Sequence, residues 1–198
     1  MSSNVTVRPA GRSGDGFDVG RVIPRHGYAE WPMSRARWCQ KGNLGCGGIS
    51  YEPQSVEGPK GFPSGGPWDG ELASANNTRF ADLDGVKAPN GKAWPTTSVD
   101  AGRLYRFRWY LTAPHSTAKF HYYLTREGWD QNAKLTRAAF DLAPFLTISF
   151  TEGEIPGREV AHWGRFPYGR TGRHVLYAVW DVADTVNAFY SACDVDFG

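Results

Sequence analysis

The sequence lacks a strong excess of charge of either sign. Its 22 Lys and Arg residues and 20 Asp and Glu residues leave a formal net charge of +2 over 198 residues. Dedicated nucleic-acid-binding proteins normally carry a larger and more clustered basic excess, so we do not expect a nucleic-acid partner. No apolar run approaches the roughly 20 residues that a membrane-spanning helix needs, and we therefore expect no membrane partner.

The first 25 residues lack the features of a Sec-type signal peptide. They are polar, they contain no continuous apolar segment, and no small-residue cleavage site ends them. We interpret residues 1–25 as a flexible leader and residues 26–198 as a single domain. Two explanations stay open at this point: a secretion signal has been replaced, or the protein leaves the cell by another route.

Cysteine is also scarce, with three residues in the chain. Cys39 and Cys46 lie in a short glycine-rich segment that can close into a disulfide, and such a bond would suit an oxidising compartment. Cys193 lies in an apolar segment near the C-terminus, where a thiol is most often a small buried residue. A metal site built from all three cysteines is disfavoured because the sequence contains no CxxC pair.

Glycine, proline and aromatic residues are abundant instead. The chain contains 24 Gly, 13 Pro, 8 Trp, 9 Tyr and 11 Phe, and 40% of its residues are hydrophobic. This composition supplies many turns together with enough apolar surface for a packed core. It favours a turn-rich β fold over a helical bundle or coiled coil.

Alternating apolar residues predict several strands in the second half of the chain. In the segment 103–111, Tyr105, Phe107 and Trp109 share one side, while Arg106 and Arg108 fall on the other. The segment 118–124 repeats this alternation, and the residues between the two segments form either a hairpin turn or another strand-to-strand loop. Further strands are predicted at 146–150, 174–180 and 188–197, with a loop at 181–187.

Residues 26–101 are irregular and hold most of the Pro and Gly. The segment is too long for an ordinary loop, so it is either functional or contains short helices. Together with the strands that follow, it predicts one antiparallel β-sandwich with a large insertion between the first and second strands.

The five histidines are the residues with the clearest chemical potential. They are His26, His115, His121, His162 and His174. None belongs to an HExxH, GxSxG, phosphate-loop or dinucleotide-binding motif. A functional site must therefore be assembled from distant parts of the chain.

Several blocks carry a family resemblance. The run HGYAEWPMSR at 26–35 resembles the mature N-terminus of the bacterial-type lytic polysaccharide monooxygenases, formerly called chitin-binding proteins, and further matching blocks keep the family's order to the C-terminus. These blocks include YEPQSVEG at 51–58, TAPHST at 112–117 and AVWDVADTVNAFY at 178–190. The resemblance implies a fibronectin type III or immunoglobulin-like antiparallel β-sandwich with a loop and short-helix insertion between its first strands. It also implies that residues 26–198 are the catalytic domain.

The resemblance implies one copper ion in a histidine brace. The amine and imidazole of His26 and the imidazole of His115 would provide three nitrogen ligands, an arrangement that suits tetragonal copper(II) and leaves positions open. Phe189 matches an aromatic residue beside the axial position, and Ala113 matches a small residue that leaves room above the metal. Glu57 matches an acidic residue that positions the oxygen species by hydrogen bonding.

The resemblance also implies a flat face for a crystalline polysaccharide, of which chitin is favoured because cellulose-active relatives tend to differ in these loops. Tyr51 would stack on a sugar ring, while polar groups would reach hydroxyl and N-acetyl groups. The matching positions are Tyr51, Glu52, Gln54, Ser55, Thr112, Asp184 and Asn187. The remaining tryptophans Trp68, Trp94, Trp109 and Trp180 are expected in the core.

The activity implied by the resemblance is copper-dependent oxidation of chitin at the anomeric carbon, which breaks the glycosidic bond. It would need an external electron donor and dioxygen or hydrogen peroxide, and we expect a secreted monomer. One alternative is a non-catalytic chitin-binding adhesin or virulence module, and another is the same chemistry on cellulose. A glycoside hydrolase is disfavoured because no pair of catalytic carboxylates can be assigned.

Two features depart from the family pattern. Leu146 and Gly164 stand where the family commonly has a second disulfide, whereas Cys39 and Cys46 match the first. More seriously, the brace needs a free amine on His26, and the peptide bond from Arg25 removes that ligand. We therefore hypothesise that a trypsin-like protease cleaves after Arg25.

Overall fold

The computed structural model describes residues 26–198, and the predicted leader at 1–25 lies outside them. One α-helix, α1, spans Arg35–Lys41, and 3-10 helices span Gly48–Ser50, Thr78–Asp84 and Arg137–Ala139. No helix among these residues is long and apolar enough to cross a membrane. The strands are β1 (His26–Trp31), β2 (Glu57–Pro59), β3 (Thr97–Ser98), β4 (Leu104–Ala113), β5 (Thr117–Leu124), β6 (Leu146–Ser149), β7 (Glu159–Arg165), β8 (Arg173–Val182) and β9 (Asn187–Asp196).

The strands form two sheets. The three-stranded sheet has the order β1-β4-β7, and the six-stranded sheet has the order β2-β9-β8-β5-β6, with β3 pairing β9. All pairs are antiparallel except β3 with β9. The predicted immunoglobulin-like β-sandwich is confirmed, and so is the insertion, which separates β1 from β4 and contributes α1, β2 and β3.

The central strand β8 is buried on both faces, which explains its uninterrupted apolar sequence. Leu176, Ala178 and Trp180 point into the core between the two sheets. Val175, Tyr177 and Val179 point the other way, into a second core that the insertion forms against the six-stranded sheet. The alternation follows from the two-residue period of a strand.

The insertion is attached to the sandwich by a buried ion pair. Ser34 caps α1 by accepting a hydrogen bond from the backbone N–H of Arg37. The buried Arg35 guanidinium donates from Nε to Asp194 Oδ2 on β9 at 2.7 Å. At the end of α1, Cys39 and Cys46 form the predicted disulfide. Cys193 is buried in the core between the sheets, as expected.

The structure differs in several details from the strands and core residues expected from the sequence. Of the two alternatives for the residues between β4 and β5, the strand-to-strand loop is confirmed and the hairpin is wrong, because these residues cross from one sheet to the other. The loop predicted at 181–187 is shorter, because β8 continues to the buried Val182 and β9 begins at Asn187. Strand β7 was missed, since a histidine and a glycine occupy two of its inward positions and weaken the apolar pattern. Trp68, expected in the core, is 68% exposed, whereas Trp94, Trp109 and Trp180 are buried.

The positions of the absent second disulfide lie against each other. A Cβ atom on Gly164 of β7 would come within 2.5 Å of Leu146 Cδ2 on β6. The leucine side chain therefore occupies the space above the glycine, and apolar packing joins the two sheets at this point.

Candidate metal centre and substrate face

His26 begins β1 and is held from two sides through its backbone. It lies opposite Ala113 at the end of β4. The hydroxyl of Thr112 donates to the carbonyl oxygen of His26 at 3.3 Å, and the N–H of Gly27 donates to the carbonyl oxygen of Gln54 at 3.1 Å. The strand β4 and the insertion together determine where His26 stands.

Gly27 allows β1 to approach the core closely. A Cβ atom at this position would lie 2.7 Å from Leu111 Cδ2 and 3.0 Å from the Trp180 ring. The first distance is shorter than a real Cβ contact, and the second is unusually tight. Glycine at position 27 therefore allows β1, and the neighbouring His26 with it, to lie close to the core between the sheets.

His115 lies in the sheet-to-sheet crossover, two residues after the Ala113 that faces His26. Its carbonyl oxygen accepts a hydrogen bond from Thr117 Oγ1 at 2.9 Å. Thr117 Oγ1 in turn accepts one from Trp180 Nε1 at 2.9 Å. This chain of hydrogen bonds ties the crossover to β8, and the β1–β4 register places the backbone of His115 two residues beyond the strand partner of His26. His115 Nδ1 lies 3.9 Å from Asp184 Oδ2.

The surroundings of the His26 ring favour its neutral form. The ring lies edge-on to Phe189, with 6.5 Å between centroids, and Phe189 is fully buried and stacked on Trp180. Burial lowers the pKa of His26, and the negative charges of Glu57 and Glu52 oppose this shift only in part. A neutral imidazole is the form that binds a metal.

Glu57 is oriented by β9. It pairs with Phe189 in the β2–β9 register, and its Oε1 accepts a hydrogen bond from Asn187 Nδ2 at 3.0 Å. Lys60, which the sequence analysis did not identify, strengthens this region. Its N–H donates to Val186 O at 2.9 Å and its Nζ donates to Thr185 O. The β8–β9 turn is thereby fastened to the residues that follow Glu57.

The surface around the two histidines carries exposed side chains from separate segments. Tyr51 is 88% exposed at the end of a 3-10 helix, and the neighbouring Glu52 forms an ion pair with Arg79. On the β8–β9 turn, Asp184 is exposed and Val186 is 82% exposed. Val186 was also missed by the sequence analysis, because nothing in its local sequence distinguishes an exposed turn valine from a buried strand valine.

The structure groups most of the predicted site residues around His26. Ser55 Oγ lies 3.3 Å from His26 Nδ1, and Asn187 joins the group through Glu57. His115 joins it through the strand register and brings Asp184 with it. Seven predicted residues interact with His26 or its immediate backbone, through direct contact, strand pairing, a backbone hydrogen bond or electrostatics. They are Glu52, Gln54, Ser55, Glu57, Thr112, Ala113 and Phe189. Tyr51 belongs to the same segment without a direct contact to His26.

The donor set fits copper on one condition. Among residues 26–198 no group of three or more His, Cys, Asp or Glu side chains could hold a metal ion. Two imidazoles are suitable copper ligands, but a third nitrogen has to come from outside that set. The α-amine of His26 would supply it once the peptide bond to Arg25 is cleaved.

Comparison with known proteins places this geometry in a family. The sequence profile described as "Lytic polysaccharide mono-oxygenase, cellulose-degrading" matches residues 26–195. The chain is 46% identical over 180 residues to GlcNAc-binding protein A of Shewanella oneidensis, covering 90% of this chain and 37% of that protein. It therefore spans well under half the length of this curated relative.

Solved structures agree with the sequence comparison. An AA10 lytic polysaccharide monooxygenase from Streptomyces lividans matches with a TM-score of 0.85 and 52% identity, covering 87% of this chain and 100% of that one. A Bacillus amyloliquefaciens CBM33 protein in complex with Cu(I) matches with a TM-score of 0.76 and 39% identity, covering 86% and 99%. The chain belongs to the family of the lytic polysaccharide monooxygenases.

Proposed function

We propose that the protein is a copper-dependent monooxygenase that cleaves crystalline chitin oxidatively at the anomeric carbon. The observation that carries this proposal is the β1–β4 register, in which His26 lies opposite Ala113 and His115 follows two residues later. This backbone proximity of two histidines from distant parts of the sequence supports a shared metal site.

In this proposal His26 and His115 hold the copper, with the freed amine of His26 as the third ligand. When bound and reduced by an external donor, copper supplies the redox chemistry that activates dioxygen or hydrogen peroxide. The hydrogen bonds of Thr112 and Gln54 to β1 hold the His26 backbone, and with it the amine, in place before any ligand arrives.

Neighbouring side chains control access and protons. The fully buried Phe189 ring closes the side of the site that faces the core, and it excludes water there because it offers no polar atom. Ala113 leaves space on the solvent side. The Glu57 carboxylate, held by Asn187, is oriented to accept a hydrogen bond at its other oxygen.

The substrate face supports a polysaccharide with amide groups. Tyr51 offers an exposed ring for stacking on a sugar. Gln54, Thr112 and Asp184 offer hydrogen-bond donors and acceptors for hydroxyl and N-acetyl groups. The name of the S. oneidensis relative favours N-acetylglucosamine, whereas the family description names cellulose. We propose chitin and treat cellulose as the competing substrate.

A comparison of two forms of the protein tests the activity. Copper-loaded protein that begins at His26 is incubated with β-chitin and ascorbate, and the soluble products are analysed by mass spectrometry. We expect aldonic-acid oligosaccharides, their loss in His115→Ala, and a strong reduction in Glu57→Gln. Parallel incubation with cellulose decides the polymer, and oxidised products from cellulose alone would refute the chitin assignment.

We further propose that maturation removes residues 1–25. The support is the junction Arg25–His26, where a basic residue suited to a trypsin-like protease precedes the candidate ligand. The intact mass of secreted protein from the native host should correspond to a chain that begins at His26. A secreted product that begins at Met1 would refute the maturation. Size-exclusion chromatography of the same sample tests the expected monomer.

The second candidate is a chitin-binding module without redox activity. It is favoured by the name GlcNAc-binding protein A and by the blocked amine of the uncleaved chain. Adsorption to β-chitin without oxidised products, in protein that begins at His26 and carries copper, would select this candidate. Electron paramagnetic resonance of the Cu(II) form with and without residues 1–25 separates a failed metal site from a failed reaction.

A further inference from the structure

The outer face of the three-stranded sheet carries side chains that the proposed reaction does not use. Arg37 of α1 covers the Tyr28 end of this face, whereas Arg106, Arg108 and Trp163 are exposed. Every second residue of β4 and β7 points into the core, and the residues between them point to solvent. The outward residues are Tyr28 and Glu30 on β1, Leu104, Arg106, Arg108 and Tyr110 on β4, and Glu159, Ala161, Trp163 and Arg165 on β7.

A groove of about 560 Å³ lies on this face and is lined by Tyr28, Glu30, Arg106, Arg108, Tyr110, Glu159 and Ala161, together with Arg37 of α1. Trp163 lies outside this lining and adjoins it at Arg106. Strand pairing places Arg106 beside Trp163, which is 64% exposed. It also places Arg108 beside Ala161, so that small side chains lie between the larger ones. Directly opposed residues of antiparallel strands have Cβ atoms about 5 Å apart. The two side chains of each pair can therefore contact the same part of a bound molecule.

The three arginines that line the groove differ in whether they have an ion-pair partner. Arg37 forms an ion pair with Glu30 at 3.0 Å and stacks over the Tyr28 ring at 5.0 Å. Arg106 and Arg108 are exposed and make no ion pair and no side-chain hydrogen bond to any residue in the range 26–198. The Cα atoms of Arg106 and Arg108 are about 7 Å apart on one strand, and both guanidinium groups are thus available to an external anion.

We propose that this groove binds an acidic polysaccharide, a chain whose sugars carry carboxylate or sulfate groups. The guanidinium groups of Arg106 and Arg108 would bind these anions through paired N–H donors. The rings of Trp163 and Tyr110 would pack against the apolar faces of the sugars. Glu159 and Glu30 would accept hydrogen bonds from sugar hydroxyls, which a site for a simple anion would not need.

The same residues argue against a nucleic acid. Two glutamates line the groove together with three arginines, and grooves for nucleic acid normally carry a larger basic excess that follows the phosphate backbone. From Arg106 to Tyr110 the groove follows β4 over about 14 Å. A flat strip of this length suits an extended oligosaccharide.

The groove is separate from the candidate metal centre. Its Tyr28 end lies two residues from His26 along β1, and its Arg106 end lies further along β4, away from Ala113. Binding there would hold the enzyme beside an acidic matrix polysaccharide while the Tyr51 face engages a neutral crystalline one. The inference needs neither copper nor a free His26 amine, so it stands or falls independently of the proposed function.

Binding of defined oligosaccharides to the full metal-free chain tests the proposal. The probes are oligogalacturonate for carboxylates, heparin oligosaccharides for sulfates, neutral chitohexaose and oligo(dT). Titration calorimetry is run at low and at physiological salt. The variants are Arg106→Gln/Arg108→Gln and Trp163→Ser, and the charge-matched control is Lys92→Gln/Arg126→Gln, which removes two exposed cations outside the groove.

We expect at least one acidic oligosaccharide to bind, with an affinity that falls as salt rises. The arginine double variant should bind it at least tenfold more weakly, Trp163→Ser severalfold more weakly, and the control within twofold of the unmodified protein. Equal weakening by the control variant, absence of binding by both acidic probes at low salt, or tighter binding of oligo(dT) would each overturn the proposal. Thermal unfolding of each variant identifies any loss of binding caused by misfolding.

Discussion

The buried His162 should make the stability of the protein depend on pH in a range where few other groups titrate. Its side chain lies between the sheets, where Tyr122 Oη is 2.6 Å from His162 Nδ1. Trp109 Nε1 donates to the same Tyr122 oxygen at 3.1 Å, so the tyrosine proton is directed to the histidine. Burial lowers the pKa of His162 from 6.5 to about 4, because the charged ring would lose its hydration.

The sign and size of the effect follow from proton linkage. Between pH 6.5 and about 4 the unfolded chain binds a proton at this histidine that the folded protein does not bind. The free energy of unfolding therefore falls as the pH falls through this window, and is unaffected well above pH 7. The two pKa values correspond to a loss of about 2 kcal/mol between pH 7 and pH 5.

The variant His162→Gln isolates this contribution, because its amide oxygen can still accept the Tyr122 proton but does not titrate. Urea unfolding of metal-free protein, followed by tryptophan fluorescence at half-unit steps from pH 7 to pH 5, gives the free energy of unfolding of both proteins. Between pH 7 and pH 5 we expect the free energy of unfolding to fall by about 2 kcal/mol less in the variant than in the unmodified protein, whatever the absolute stability of the variant. Parallel curves would refute the reasoning, since they would mean that His162 takes up its proton equally in the folded and unfolded states.

Three further predictions concern packing and cross-links. Gly27→Ala should destabilise the fold by about 1–3 kcal/mol and weaken Cu(II) binding in protein that begins at His26, and both can be measured by thermal unfolding with and without copper. Asp194→Asn should cost about 3–5 kcal/mol in urea unfolding, because it leaves the buried Arg35 without its carboxylate; a loss below 1 kcal/mol would contradict this assignment. Cys39→Ala/Cys46→Ala should lower stability by about 2 kcal/mol, the entropy of so short a loop, without changing copper affinity.

The sequence predicted the strands whose inward positions are all apolar. Phe107 and Trp109 on β4 and the doubly buried β8 gave clear patterns, and these strands were located to within a few residues. Strand β7 was not predicted, because His162 and Gly164 face inward and only the structure shows what they contact. The hairpin alternative after β4 was wrong because a short loop has the same local sequence whether it joins two strands in one sheet or in two.

The sequence predicted which residues belong to the candidate site, but it did not predict the contacts between them. His26, Glu57 and Asn187 were identified from the family resemblance, but the hydrogen bond from Asn187 to Glu57 joins residues 130 positions apart. Lys60 and its bonds to the β8–β9 turn left no sequence signal for the same reason. Long-range pairings of polar groups depend on the strand register, which composition and periodicity do not specify.

The two cores on either side of β8 support different parts of the candidate site, one the metal ligands and the other the substrate face. Phe189 and Trp180, which lie behind His26, belong to the core between the sheets, whereas Ile49 and Val56, which bracket the Tyr51 segment, belong to the core under the insertion. Changes in the insertion can therefore alter the substrate face while the wall behind the metal ligands stays in place. The insertion nevertheless contacts this wall and β1 directly: Glu57 of β2 pairs with Phe189, the N–H of Gly27 donates to the carbonyl oxygen of Gln54, and Ser55 contacts His26. Through these contacts the insertion also touches β1, so movement of the substrate face and positioning of His26 are coupled at that point.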